Sequence, residues 1–155
     1  MRNWFAVVGV VCCGACGSSD STAPNYGNIS GRFQGEVSGQ SQGQVLNGVY
    51  SIVTTQNGGK VSGTTEMNGF VGSGAGAPAF QNPGLVVGTI GSGEDPAVSF
   101  TITSNACPTH VVTLAGTYQT ANKRLVVSGT LETYSSTCTV AYSFPASLLL
   151  TKPIN

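Results

Sequence analysis

The chain has 155 residues, a formal net charge of zero, 22 glycines and a charged fraction of only 8%. Soluble domains usually carry roughly 25% charged residues, so this composition argues against helices rich in Glu and Lys and favours an all-β protein. Lysine and arginine form no patch with interleaved aromatic residues, which excludes a nucleic-acid-binding protein. The length suits one domain with its own hydrophobic core.

The first 15 residues have the features of an export signal. Arg2 supplies a positive charge, and an apolar run follows over Trp4–Val11. This run is shorter than the roughly 20 residues that a helix needs to cross a bilayer. We therefore expect a signal peptide over residues 1–15 and not a spanning helix.

The end of this signal, Cys13-Gly14-Ala15-Cys16, resembles the lipobox of bacterial lipoproteins. In that family a signal peptidase cuts before a cysteine that becomes lipidated. The resemblance implies lipidation at Cys16 and a domain held outside the cytoplasm on the cell envelope, at the outer membrane if the host has two membranes. Cys13 stands where the family prefers an aliphatic residue, and an ordinary secretory signal cut near Ala15 or Gly17 is the alternative.

Residues 16–27 are rich in Gly, Ser, Thr, Asp and Pro. Such a composition offers little to bury and predicts a flexible tether. The folded domain is then expected over residues 28–155.

The domain shows the period-two pattern of β-strands. Ile29, Phe33 and Val37 face one way, while Arg32 and Glu36 face the other. Further runs of this kind are Gln44–Thr55, Lys60–Met67, Leu85–Ile90, Ala97–Thr103, His110–Gln119, Arg124–Thr133, Thr137–Phe144 and Ser147–Lys152. Short turns join most of them, so we expect an all-β, antiparallel up-and-down meander of eight to nine strands, forming a small barrel or, alternatively, a sandwich.

A repeated pattern favours the barrel. Leu46-Asn-Gly-Val-Tyr50 recurs as Leu114-Ala-Gly-Thr-Tyr118, and the glycine in each copy leaves room for the bend of a closing sheet. One interpretation is that Tyr50 and Tyr118 line a shared ligand cavity. The alternative is that both tyrosines pack in the core with their hydroxyls at the rim.

A glycine-rich stretch from Asn68 to Gly84 interrupts the regular strand spacing. Loops of this length are often functional lids, so Phe70 or Phe80 could fold over one barrel mouth and contact a ligand. The alternative is a mobile surface loop.

Cysteine usage fits an oxidising compartment. Cleavage before Cys16 would leave Cys107 and Cys138 as a pair in the domain. We predict a disulfide between these two residues. The alternative, a redox or metal pair, lacks a C-x-x-C motif and has only His110 as a further ligand.

The strand spacing, the glycine-bearing strands and the disulfide resemble the calycin barrels, lipocalins and avidins among them. The resemblance implies an up-and-down barrel that can hold one small ligand. The lipocalin Gly-x-Trp motif is absent, because Gly31-Arg32-Phe33 stands in its place, so no binding residue is carried over.

No catalytic, cofactor or metal constellation is recognisable, and an enzyme is not expected. His110 is the only histidine and has no assignable nucleophile partner, and carboxylates are few: Glu36, Glu66, Glu94, Asp95 and Glu132. The expected function is a membrane-anchored, lipocalin-like binding module for a small or apolar ligand. The alternative is a structural or protein-interaction lipoprotein of the envelope with a filled barrel. The interior residues that decide between them are Phe33, Leu46, Tyr50, Phe100, Ile102, Leu114, Tyr118 and Leu125.

Overall fold

A computed structural model describes residues 23–72, 77 and 79–153. The predicted signal peptide, Cys16 and most of the predicted tether lie outside the described residues. The described chain forms eight antiparallel strands, which pair in chain order and close into a barrel. The strands are β1 (Gly31–Ser41), β2 (Gln44–Asn57), β3 (Lys60–Val71), β4 (Ala79–Ile90), β5 (Ala97–Ser104), β6 (Val111–Gln119), β7 (Arg124–Tyr134) and β8 (Val140–Thr151).

The predicted all-β meander is therefore confirmed, and it is a barrel of eight strands. The last two predicted strands form one strand, because the extended chain of β8 runs on through Pro145. In the described part of the chain, no helix is long and apolar enough to cross a bilayer.

The barrel interior is the hydrophobic core. Alternate residues of each strand point inward, as Phe33 and Val37 do on β1, while their neighbours point to solvent. The eight side chains expected inside are all buried, with at most 6% exposure.

The two ends of the barrel are formed by different segments of the chain. The N-terminal end contains residues 23–30, the turns at 58–59, 91–96 and 120–123, and residues 152–153 after β8. The disulfide end contains the turn at 42–43 and the connections 72–78, 105–110 and 135–139. This alternation follows from the meander, in which successive connections lie at opposite ends.

The N-terminal end is closed by the chain that precedes β1. Ile29 is fully buried; its backbone N–H donates to Gln56 Oε1 at 2.9 Å, and its carbonyl accepts a hydrogen bond from the Thr54 hydroxyl. Tyr26 pairs with Ser92 and lies over the Gly58–Gly59 turn. Tyr26, near the end of the predicted tether, therefore packs against this end of the barrel.

The predicted long loop from Asn68 to Gly84 is also mostly strand. β3 continues to Val71 and β4 begins at Ala79, so that only residues 72–78 connect them. The glycines that suggested a loop allow close packing instead. A Cβ on Gly69 would lie 2.7 Å from Phe80 Cζ, and one on Gly84 would lie 2.9 Å from Ile102 Cγ2.

Candidate functional site

The candidate site lies at the disulfide end, where the barrel wall is uneven. β5 and β6 stop short there, while their neighbours β4 and β7 continue toward the same end. The gap is bridged by the Asn82 side chain, whose amide donates to the Glu132 carbonyl at 2.8 Å. This places the side chains of β4 and β7 close to the 105–110 connection.

The 105–110 connection fills the rest of the gap as a tight turn. The backbone N–H of Asn105 donates to the Pro83 carbonyl at 2.9 Å, and that of His110 donates to the Cys107 carbonyl at 2.9 Å. The Ser104 hydroxyl accepts from the Cys107 N–H at 3.3 Å. The segment is therefore fixed to the wall by its own backbone.

The predicted disulfide between Cys107 and Cys138 is confirmed. Its two Cα atoms are 5.4 Å apart, and the bridge ties the 105–110 connection to the 135–139 connection. Cys138 has a φ of 58°, and its N–H donates to the Ser135 carbonyl at 3.0 Å. The second connection is thus a tight turn that presents Cys138 to Cys107.

A cluster of three polar side chains lies beside the disulfide. His110 Nε2 is 2.7 Å from the Cys138 carbonyl, which can only accept, so Nε2 carries the hydrogen. The Tyr134 hydroxyl donates to Glu132 Oε2 at 3.0 Å, and the same oxygen is 4.0 Å from His110 Nδ1. The His110 and Tyr134 rings are in contact at a centroid distance of 4.5 Å, with their planes tilted by 38°.

The chemistry available to this cluster is limited. Burial, followed by the hydrogen bond and charge of Glu132, raises the pKa of Tyr134, so its hydroxyl stays protonated as a donor. The His110 ring is hydrogen-bonded to the Cys138 carbonyl. Among the described residues, no hydroxyl or thiol forms a hydrogen bond to this ring. The arrangement therefore ties two loops to the wall and contains no activated nucleophile among the described residues.

A cavity of about 20 Å³ lies under the cluster, inside the barrel. Polar and apolar side chains share its wall, among them Tyr50, Thr65, Met67, Ser104 and Leu131. The Tyr50 hydroxyl is buried and makes no hydrogen bond of good geometry. Burial raises the pKa of Tyr50 to about 12, and the neighbouring Thr65 side chain opposes this rise only in part.

The two tyrosines of the repeat do not meet in one cavity. Tyr50 lines the cavity at the disulfide end, whereas Tyr118 lies at the N-terminal end, one residue before the end of β6. There its ring packs against Gly27 and lies perpendicular to the ring of Phe33. The two tyrosines lie at different heights along the barrel, because Tyr50 is seven residues from the end of β2 whereas Tyr118 is one residue from the end of β6.

The two phenylalanines have opposite orientations. Phe80 faces the interior and packs against the core. Phe70 faces outward and is 56% exposed. The exposed Val45 and Val49 lie on the same outer wall, near the disulfide end.

The carboxylates do not converge on a common centre. Glu66 lies on the outer wall of β3, where the Gln81 amide donates to it at 2.6 Å and lowers the pKa of its carboxyl. Glu132 belongs to the cluster beside His110. Within the described ranges, no three His, Cys, Asp or Glu side chains are grouped as a metal site would require.

Comparisons with known proteins add no assignment. No protein-family model, no curated protein and no solved structure matches the chain. The class of protein is therefore defined by its fold alone, a closed eight-stranded antiparallel barrel.

The sequence did not predict the cluster of His110, Glu132 and Tyr134. A usable signal was present, since His110 follows Cys107 by three residues and Tyr134 precedes Cys138 by four. A bridge between the two cysteines must bring their neighbours together. The predicted disulfide could thus have located the cluster.

Proposed function

We propose that the protein is a non-catalytic lipoprotein of the cell envelope, anchored through Cys16, whose filled barrel carries a surface for contact with another envelope protein. The observation that supports this most directly is the filled interior. Pockets for small ligands usually measure about 300–1,000 Å³. The interior cavity of about 20 Å³ has room for one water molecule.

A thermal-shift screen with fatty acids, sugars and haem tests this choice. We expect no stabilisation of the wild-type protein, because none of these compounds fits inside. Met67→Ala serves as a positive control, since removing a fully buried side chain from the cavity wall enlarges the cavity for a small apolar probe such as benzene. Stabilisation of the wild type by a screened compound would favour the binding module instead.

The anchor has its own test. Intact mass spectrometry of the membrane-extracted protein is expected to show a chain that begins at Cys16 and carries acyl groups. Cys16→Ser should abolish both the added mass and retention in the membrane fraction. An unmodified chain that begins near Gly17 would contradict the anchor and indicate ordinary secretion.

The outer wall near the disulfide end carries the proposed contact surface. Phe70 is 56% exposed, and Val49 and Val45 beside it are 40% and 39% exposed. Apolar side chains grouped in this way on a surface are typical of interaction sites. A photo-crosslinking residue at Phe70 should capture one envelope protein, whereas the same residue at exposed Ser128 of β7 should not. Equal crosslinking at both positions would contradict the assignment.

A further inference from the structure

Four of the five basic residues of the described chain lie at one end of the barrel. They are in the hairpins or at the strand termini of the N-terminal end: Lys60 in the β2–β3 hairpin, Lys123 and Arg124 in the β6–β7 hairpin, and Lys152 after β8. The fifth, Arg32, lies on the outer wall of β1 and lines one groove with Glu66 of β3.

The acidic residues are distributed differently. Glu94 and Asp95 lie at the N-terminal end, in the β4–β5 connection. Glu36 and Glu66 lie on the walls, and Glu132 lies at the disulfide end. The N-terminal end therefore has four cations against two carboxylates, whereas the rest of the described chain has three carboxylates against Arg32 alone.

These cations are available to an external partner. Lys60, Lys123 and Arg124 are exposed, and none of them lies within 4.0 Å of a carboxylate of the described residues. Lys152 is half-buried, where its ammonium donates to the Ser30 carbonyl at 2.9 Å and lies over the Phe33 ring. Three of these four positive charges thus face solvent without a carboxylate partner among the described residues.

The cations are spread around the rim. In an eight-stranded meander the β2–β3 and β6–β7 hairpins lie four strands apart in both directions, on opposite sides of the barrel. Lys60 and the Lys123–Arg124 pair therefore stand on opposite sides of the same opening. A flat anionic surface that contacts both would hold the barrel axis upright.

The chain toward Cys16 enters the barrel at this same end. Tyr26 pairs with Ser92 there, and it is the tenth residue after Cys16. Even fully extended, ten residues span only about 35 Å, so an anchor at Cys16 would hold the cationic end close to the bilayer. Within a Debye length of about 8 Å, Lys and Arg are attracted to anionic lipids.

From charge and chain entry together, we propose that the N-terminal end of the barrel binds anionic phospholipid headgroups and points the disulfide end away from the membrane. This inference rests on the proposed lipid anchor. Each exposed cation that reaches the surface is expected to strengthen the contact about five-fold at physiological salt. Glu94 and Asp95 weaken it.

The test uses the lipidated protein in vesicles of phosphatidylcholine, alone or mixed with phosphatidylglycerol, with a paramagnetic label on the headgroups. We expect the label to broaden the NMR signals of Lys60 and Lys123 more than those of His110. This broadening should be stronger in the mixed vesicles than in phosphatidylcholine alone, and the difference between the vesicles should decrease as salt is raised. Lys60→Gln/Lys123→Gln/Arg124→Gln should remove that difference. The matched control Glu94→Gln/Asp95→Asn, at the same end, should increase it.

Broadening that is equal in both vesicles, or equal at the two ends of the barrel, would overturn the proposal. Circular dichroism checks that the variants fold, and Lys60→Gln alone should give an intermediate effect. Failure of the anchor is distinguishable, because an unanchored protein would leave the vesicles in high salt. It would still bind mixed vesicles at low salt if the cationic end acts as proposed.

Discussion

Gly39 of β1 lies directly against the ring of Phe144 of β8, at the seam where the barrel closes. A Cβ at Gly39 would overlap that ring, and one at Gly35 would overlap the Leu149 carbonyl of the same strand. Only one residue pair, Gln34 and Thr151, shows regular ladder pairing across this seam. The two glycines therefore allow the close approach that completes the barrel.

Gly39→Ala is expected to destabilise the protein by about 2 kcal/mol, because overpacking forces the Phe144 ring or the seam to shift. Urea denaturation measures the change. Gly91→Ala is the matched control, since its Cβ would meet only ordinary contacts, at 3.6 Å or more. If both variants unfold at the same urea concentration, the seam does not require a glycine at position 39.

Loss of the disulfide should lower the free energy of unfolding by about 3 to 4 kcal/mol, as expected for a bridge that spans 31 residues. Denaturation with and without reductant measures this. The variant Cys107→Ala/Cys138→Ala should be equally destabilised and insensitive to reductant. Two titratable thiols in the purified wild-type protein would contradict the bridge.

Tyr50→Phe should leave stability at pH 7 unchanged or raise it by up to about 1 kcal/mol, because it removes a buried hydroxyl without a hydrogen bond. Tyr134→Phe makes the same chemical change but removes the bond to Glu132, and it should cost about 1 kcal/mol. Thermal and urea denaturation compare the pair. A large loss of stability in Tyr50→Phe would mean that its hydroxyl has a partner.

Alkaline pH should destabilise the fold through the ionisation of Tyr50. Burial raises the pKa of Tyr50 from 10.0 to about 12, so between these values the unfolded chain releases its proton while the folded chain retains it. Stability then falls as pH rises from 10 to 12, by about 1.4 kcal/mol per pH unit. Urea titrations across this range should show a shallower fall in Tyr50→Phe than in the wild type. Parallel slopes would contradict the shifted pKa.

The sequence predicted the fold well because the signals involved are local. Alternation at Phe33 and Val37 defined the inner face of β1, and hairpin signals such as Asn57-Gly58-Gly59 defined neighbouring strands. The pairing of Cys107 with Cys138 followed from the count of cysteines in the domain. Each of these inferences needs only nearby residues or composition.

The errors concern distances that sequence spacing does not encode. Gly69 and Gly84 suggested a loop, yet each allows close packing inside a strand. The different heights of Tyr50 and Tyr118 along the barrel depend on how far each motif lies from its hairpin. The motif itself does not contain that distance.

The closure at Gly39 and Phe144 also bears on self-association. Unpaired strand edges recruit further strands from other molecules. Throughout the described residues every strand has two neighbours, but β1 and β8 share the least regular pairing of the barrel. A substitution that opens this seam would expose the edges of β1 and β8 at once and give other chains a template for aggregation.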